Sequence, residues 1–141
     1  MALDNIFGIA GSALNAQTTR MNATASNLAN AGSVASSEKD AFRGKRAVFR
    51  TILDTQMGAK PSANNGGVKI DNLIDDPAPI TRMSDPGNPA ADKDGYVYLS
   101  NVNEMTEMVE MMAAARSYQN NVEVINTARQ LMMRTLDIIK S

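Results

Sequence analysis

Apolar positions at alternating steps of three and four run through both ends of the chain, and steps of two run through its middle. Near the C-terminus, Met108, Met111, Ala115, Tyr118, Val122, Ile125, Arg129, Met132, Leu136 and Ile139 keep the helical spacing, and nine of these ten are apolar. That pattern predicts a coiled-coil seam. No Gly or Pro falls within residues 101–141, which predicts one unbroken helix. Asn101 is its expected N-cap, with Glu104 reaching back to the exposed backbone donors. Glu104, Glu107 and Glu110 lie early, Arg129, Arg134 and Lys140 late, an order that suits the helix dipole. A second apolar face comprises Met105, Val109 and Met112, then Val124, Leu131 and Ile138. More apolar surface than one partner can cover implies several partners.

Length says what the seam is for. Forty helical residues extend roughly 60 Å, whereas a compact globule of this chain length is about 35–40 Å across. Such a helix needs a long partner, from this chain or another. The N-terminal pattern offers one: Leu3, Phe7, Ala10, Leu14, Gln17, Met21, Thr24 and Leu28 step by four and three over residues 2 to about 30, and six of the eight are apolar. Around that line lie small residues, among them Gly8, Gly11, Ala13, Ala16, Ala23, Ala25 and Ala29, which let helices approach closely. Gly8 and Gly11 each cost roughly 1 kcal/mol in a helix interior, so the helix should be weak alone. Asp4 and Arg20 are the only charges in the first thirty residues, and a face so poor in charge is badly suited to water. Asn27 to Ser33 ends this helix, with Asn and Gly near the C-cap. Small polar residues as far as Ser37 then read as a mobile linker.

Between Ala41 and Leu99 the period shortens and all five Pro residues appear. Residues Ala47 to Leu53 are rich in β-branched and aromatic types, and Val68, Ile70 and Asn72 alternate with Lys69 and Asp71 after the turn signal Asn65-Gly66-Gly67. Tyr96 to Leu99 follow a second turn signal, Asp94-Gly95. The expectation is a small antiparallel subdomain of about four strands, marginal by itself. The fold class is thus mainly α with a small β insert. Long N- and C-terminal helices pair as a coiled-coil-like core, and the β subdomain lies between them. The expected division is residues 1–36 for the first core helix and linker, 37–100 for the β-rich subdomain, and 101–141 for the second core helix.

Composition removes most chemistry. The 141 residues include no Cys and no His. Thiol and imidazole catalysis and almost every zinc site are therefore excluded. Ten Met residues, concentrated in the last helix, suit a pliable interface. A net charge of −1 gives no reason to expect nucleic acid or an anionic membrane as partner. No apolar run is long enough to span a membrane, and the N-terminus does not read as a Sec-type signal peptide. Three acidic clusters read as turns. Asp75-Asp76 precedes Pro77 with diverging carboxylates, Asp85 to Pro89 is a rigid turn, and Asp92-Lys93-Asp94-Gly95 lacks the other ligands of a calcium loop. There is no phosphate-binding glycine loop, and no Ser or Thr has a base beside it. No catalytic, cofactor-binding or metal residue is expected. The physical reading is a subunit of a helical or ring assembly with its helices inside.

The residues also carry a resemblance. Ala2 to Phe7, Ser12-Ala13-Leu14 and Ser26-Asn27-Leu28-Ala29-Asn30-Ala31 resemble the N-terminus of bacterial flagellar rod proteins. Asp85 to Val97 and Arg116 to Thr127 are similar to segments of the flagellar basal-body (proximal) rod protein FlgC family. The resemblance implies a proximal-rod subunit packed helically in the periplasm, part of the drive shaft from membrane ring to hook. It implies copies of itself, other rod proteins, the rod–ring adaptor and the membrane ring as neighbours, and export by the flagellar type III apparatus. No small-molecule substrate is implied. Leu3, Phe7, Ala10, Leu14, Met21 and Leu28, with Met108, Met111, Ala115, Tyr118, Val122, Ile125, Met132, Leu136 and Ile139, are the expected assembly interface. Two other classes could use such helices. One is a cytoplasmic helical adaptor or export chaperone. The other is a peptidoglycan-cleaving enzyme, which needs a catalytic Glu that Ala41 to Leu99 does not contain.

Overall fold

Two long helices and five short strands make up the computed structural model, which describes residues 2–52 and 66–140, with side chains of residues 2–4 and 139–140 outside the description. Helix α1 covers Ala2–Ala29 and helix α2 covers Glu104–Lys140. The strands are β1 (Val34–Ala35), β2 (Lys45–Thr51), β3 (Val68–Asp75), β4 (Arg82–Ser84) and β5 (Tyr96–Leu99). The two helices pack together with the small antiparallel β insert between them in sequence, as the periodicities predict. Leu53 and Asn65, part of the expected strand and turn, lie outside the described residues.

The start of α2 corrects one expectation. Asn103 is the cap: its Oδ1 accepts from the backbone N–H of Thr106 at 3.0 Å, and its carbonyl accepts from Glu107 N–H at 3.0 Å. Asn101 is engaged elsewhere. Its Oδ1 accepts from Gly44 N–H at 2.8 Å, and its Nδ2 donates to the carbonyls of Asp76 at 3.1 Å and Ala78 at 3.0 Å. Two loops, the one before β2 and the one after β3, are tied together by that one amide, which is therefore not available to the helix.

The described residues form two compact units, each built from separated stretches of chain. One draws on residues 20–47 and 73–112. Its three-stranded sheet has the order β1-β5-β4, both pairings antiparallel, with Ala35 and Arg82 both opposite Tyr98 and Met83 opposite Val97. Val97, on the central strand, is fully buried. Strand β1 lies in the stretch expected to be a mobile linker; pairing of Val34 with Leu99 and donation from Ser100 N–H to the Ser33 carbonyl at 3.2 Å hold it to the sheet. The turn into β5 is organised by Asp92, whose Oδ1 accepts from the N–H groups of Asp94 at 2.9 Å and Tyr96 at 2.8 Å. Gly95 closes it at a φ of +79°, where a side chain would be strained. This is the turn role expected of Asp92-Lys93-Asp94-Gly95.

The other unit draws on residues 1–19, 48–72 and 113–141. Here Ser12 Oγ donates to the Ile9 carbonyl at 2.7 Å and accepts from Val68 N–H at 3.1 Å, tying α1 to the start of β3. Close approach at this point requires Gly67, because a Cβ there would sit 2.9 Å from Ser12 Oγ. Donation from Ile52 N–H to the Gly67 carbonyl at 2.9 Å joins the flanks of β2 and β3. The buried apolar residues are small: Ala10, Ala16, Ala114 and Ala128. Small side chains at a helix contact permit short interaxial distances.

Candidate assembly surface and a buried polar clamp

Where the last turns of α1 meet the first turns of α2, the core is polar. Asn27 is 0% exposed and Glu107 is 1% exposed. Asn27 pairs with the backbone of Lys45 as a neighbouring strand would. Its Oδ1 accepts from Lys45 N–H at 2.7 Å, and its Nδ2 donates to the Lys45 carbonyl at 2.9 Å. The second Nδ2 proton goes to Glu107 Oε2 at 2.9 Å. Turning the amide over would break all three bonds, so its orientation is determined.

Glu107 Oε1 accepts from Arg46 Nη1 at 2.9 Å, and Arg46 Nε donates to Asp76 Oδ2 at 3.0 Å. Arg46 thus bridges two carboxylates, and its planar fork suits that role better than a lysine ammonium. Asp76 Oδ1 accepts from Ala78 N–H at 2.9 Å. That bond first, and the Arg46 bond second, hold the Asp76 carboxyl below its ordinary value, with burial acting the other way. For Arg46, partial burial opposes the charge; the Asp76 hydrogen bond and the Glu107 and Asp76 carboxylates outweigh it and hold the guanidinium above its ordinary value. Arg20 pairs with Glu110 one helical turn further along α2. Glu107 opposite Asn27 and Glu110 opposite Arg20 run in opposing sequence order, so these helix segments are antiparallel.

The adjacent carboxylates Asp75 and Asp76 do diverge, Asp75 to Lys45 and Asp76 to Arg46. Asp76 is nonetheless more than a turn residue, since it anchors one end of the clamp. Neither Asn27 nor Glu107 stood out in the sequence as part of a site. The available signals were an Asn at the last turn of a helix and a Glu one place before an apolar heptad position.

Clamp and seam together change the picture of α2. The line buried within this chain passes through Glu107, Ala114 and Ala128, each one residue before the predicted Met108, Ala115 and Arg129. Met111, Tyr118, Ile125 and Met132 are shared by both lines and are half-buried. Ala115 and Val122 are also half-buried, whereas Met108 and Leu136 are exposed at 49% and 53%. On α1, Ala10 is buried and Phe7, Leu14, Met21 and Leu28 are half-buried. The side chains of Leu3 and Ile139 lie outside the described residues.

The outward side of α2 is strongly apolar. In its first turns Met105, Met108, Val109 and Met112 are 71%, 49%, 58% and 62% exposed, at helical spacing and therefore on one face. Further along, Val124 and Leu131 are also exposed. They line a groove of about 360 Å³ with Ile6, Asn120, Glu123, Thr127 and Ala128. Among the described residues no cluster of His, Cys, Asp or Glu could hold a metal ion. No helix among them is long and apolar enough to cross a membrane.

Two family models match segments near the two ends of the chain. Residues 7–32 match the family model of flagella basal body rod proteins, and residues 93–138 match that of the C-terminal region of flagellar basal body rod FlgEFG proteins. The chain is 49% identical over 138 residues to flagellar basal-body rod protein FlgC of Yersinia enterocolitica, covering 98% of each. It is 50% identical, with the same coverage, to the FlgC of Escherichia coli O6:H1, and 49% identical to that of Salmonella typhimurium. Half identity over nearly the full length of both chains shows that this chain belongs to the FlgC family of flagellar basal-body rod proteins.

Proposed function

We propose that the chain is a structural subunit of the flagellar proximal rod, polymerising through its terminal helices into the shaft that transmits torque from the membrane ring toward the hook. The observation that carries this is the outward apolar face of Met105, Met108, Val109 and Met112. An exposed contiguous apolar stripe marks a surface that another chain covers. In this reading the half-buried residues Phe7, Leu14, Met21, Leu28, Met111, Tyr118, Val122, Ile125 and Met132 hold the two helices together. The outward face and the Val124–Leu131 groove then receive helices of neighbouring subunits. Residues 1–36 and 101–141 supply the rod core, and residues 37–100 the smaller subdomain. The neighbours are copies of this chain, other rod proteins, the rod–ring adaptor and the membrane ring. The flagellar type III apparatus delivers the chain across the inner membrane. Assembly is the whole activity, with no catalysis and no cofactor.

Val109→Asp tests this. Val109 is 58% exposed in the isolated chain, so a carboxylate there meets water and the fold survives. In an assembled core the same carboxylate is stranded in an apolar interface at a cost of several kcal/mol. Cells carrying the variant should export it yet build no hooks or filaments, while Lys93→Ala, a change of an exposed residue in the turn before β5 and outside both the outward face and the groove, should swim. Normal swimming by Val109→Asp cells would overturn the proposal.

A further inference from the structure

Two apolar lines compete for the inside of α2. Burying Met108 in place of Glu107 would remove the exposed half of a large apolar side chain from water, a favourable change. The chain instead buries a carboxylate and leaves Met108 half in water. Small-residue packing alone does not require this choice in the first turn, because Glu107 is not small. What distinguishes the observed rotation is that Glu107 finds Asn27 Nδ2 and Arg46 Nη1 there, both at 2.9 Å.

The geometry points to Asn27, Arg46 and Glu107 as a rotational lock that sets which face of α2 turns inward and which is offered to neighbouring chains. A buried polar group between helices can cost stability yet select one register, because every other rotation strands it without partners. Here the penalty falls on the alternative. With Met108 inward, Glu107 would leave Asn27 and Arg46, and Lys45 would be left paired to an amide with an idle proton. Asp76 fixes the guanidinium from its far side, so the lock also depends on β3 being paired with β2. These are positioning residues, and their role concerns the isolated chain whether or not the rod assignment holds.

The absence of cysteine makes the test direct. Single thiols are introduced at Met108→Cys and at Ala114→Cys, and their reaction rates with a maleimide are measured in the full chain. In the otherwise unaltered protein the thiol at 108 should react at least about tenfold faster than that at 114, because only the latter needs a local opening to reach solvent. Asn27→Ala with Arg46→Ala removes both partners and leaves the Glu107 charge, which must then seek water. The ratio should fall about tenfold, with 108 slowing and 114 quickening. Adding Glu107→Leu to that background removes the charge and should restore the original ratio. If the double variant unfolds, both thiols react at the denatured rate and the Glu107→Leu chain decides. Recovery of the ratio supports the lock, and failure to recover it overturns the proposal. A folded double variant with an unchanged ratio also overturns it and assigns the rotation to alanine packing.

Discussion

Replacing Asn27 with Ala should destabilise the protein far more than the loss of a surface amide. The substitution removes the partners of Lys45 N–H, of the Lys45 carbonyl and of Glu107 Oε2 at a position with no solvent exposure. An orphaned buried donor or acceptor costs about 1–3 kcal/mol. Lys45 is half-buried, so water can partly reach its groups. Glu107 keeps Arg46. Taking the lower part of the range for each gives about 3–5 kcal/mol, against a total stability of about 5–15 kcal/mol for a typical domain. Urea unfolding followed by far-ultraviolet circular dichroism reads this as a midpoint lowered by roughly 2 M, at the usual slope of about 1–3 kcal/mol per molar urea.

Asn27→Asp adds a control of sign. It keeps the shape and an acceptor for Lys45 N–H, but sets a carboxylate against Glu107 where a donor belongs. The Asp variant should therefore be at least as destabilised as Asn27→Ala near neutral pH, whereas a merely space-filling role for the amide would leave it close to the parent. An unfolding free energy for Asn27→Ala within about 0.5 kcal/mol of the parent, the range of an ordinary surface change, would refute the account of Asn27 as a structural anchor.

Three further outcomes follow from the same geometry. Asp76 has its carboxyl value held down, so its charge stabilises the fold above the ordinary value of 3.8 and that contribution is lost as pH falls through the depressed value. The stability gap between parent and Asp76→Asn should be full near neutrality and close in acid below about pH 3.8, as urea midpoints across pH would show. Gly95→Ala should cost about 1–2 kcal/mol from its left-handed backbone, with more from a Cβ placed 3.1 Å from Pro86 Cβ; thermal unfolding measures it. In hydrogen exchange, amides of Thr24 to Asn27 should be better protected than those of Asn5 to Ile9, because the former lie beside the clamp and the latter carry exposed Ile6 and Ile9.

Much of the architecture was legible because periodicity over long segments is a strong signal. Helix α1 ends at Ala29, where Asn27 to Gly32 announced a stop, and both turns flagged by Gly67 and Gly95 have left-handed glycines. What was not legible depended on distant partners. Asn101 and Asn103 are equally good caps in isolation; the demand of Gly44, Asp76 and Ala78 for one amide decides between them. Strand β1 is two residues long in a run of Ser, Gly and Ala, and only the free edge of β5 makes it a strand. The clamp joins residues 27, 46, 76 and 107, and no local pattern links positions so far apart.

The offset between the most apolar line of α2 and the line buried within this chain is informative for the same reason. Choosing the most apolar line of α2 as its inner face is sound for a helix that ends its association within one chain. A helix that must associate again outside its own chain faces a different requirement. Alanines at 114 and 128 and a satisfied carboxylate at 107 are enough to hold α2 inside this chain. Met105, Met108, Val109 and Met112 are thereby kept outward, and burying the part of each that is still exposed is worth about 1–2 kcal/mol to whatever covers it. In the proposed rod, the internal contact is built from small and polar groups while the larger apolar side chains are reserved for neighbours. An inward rotation of Met108 would strengthen the monomer's own packing and weaken the face that joins it to the next subunit. The polar residues at Asn27, Arg46 and Glu107 stand between those two outcomes, which gives a physical reason for a buried charge where a methionine one residue away would have fitted the apolar pattern.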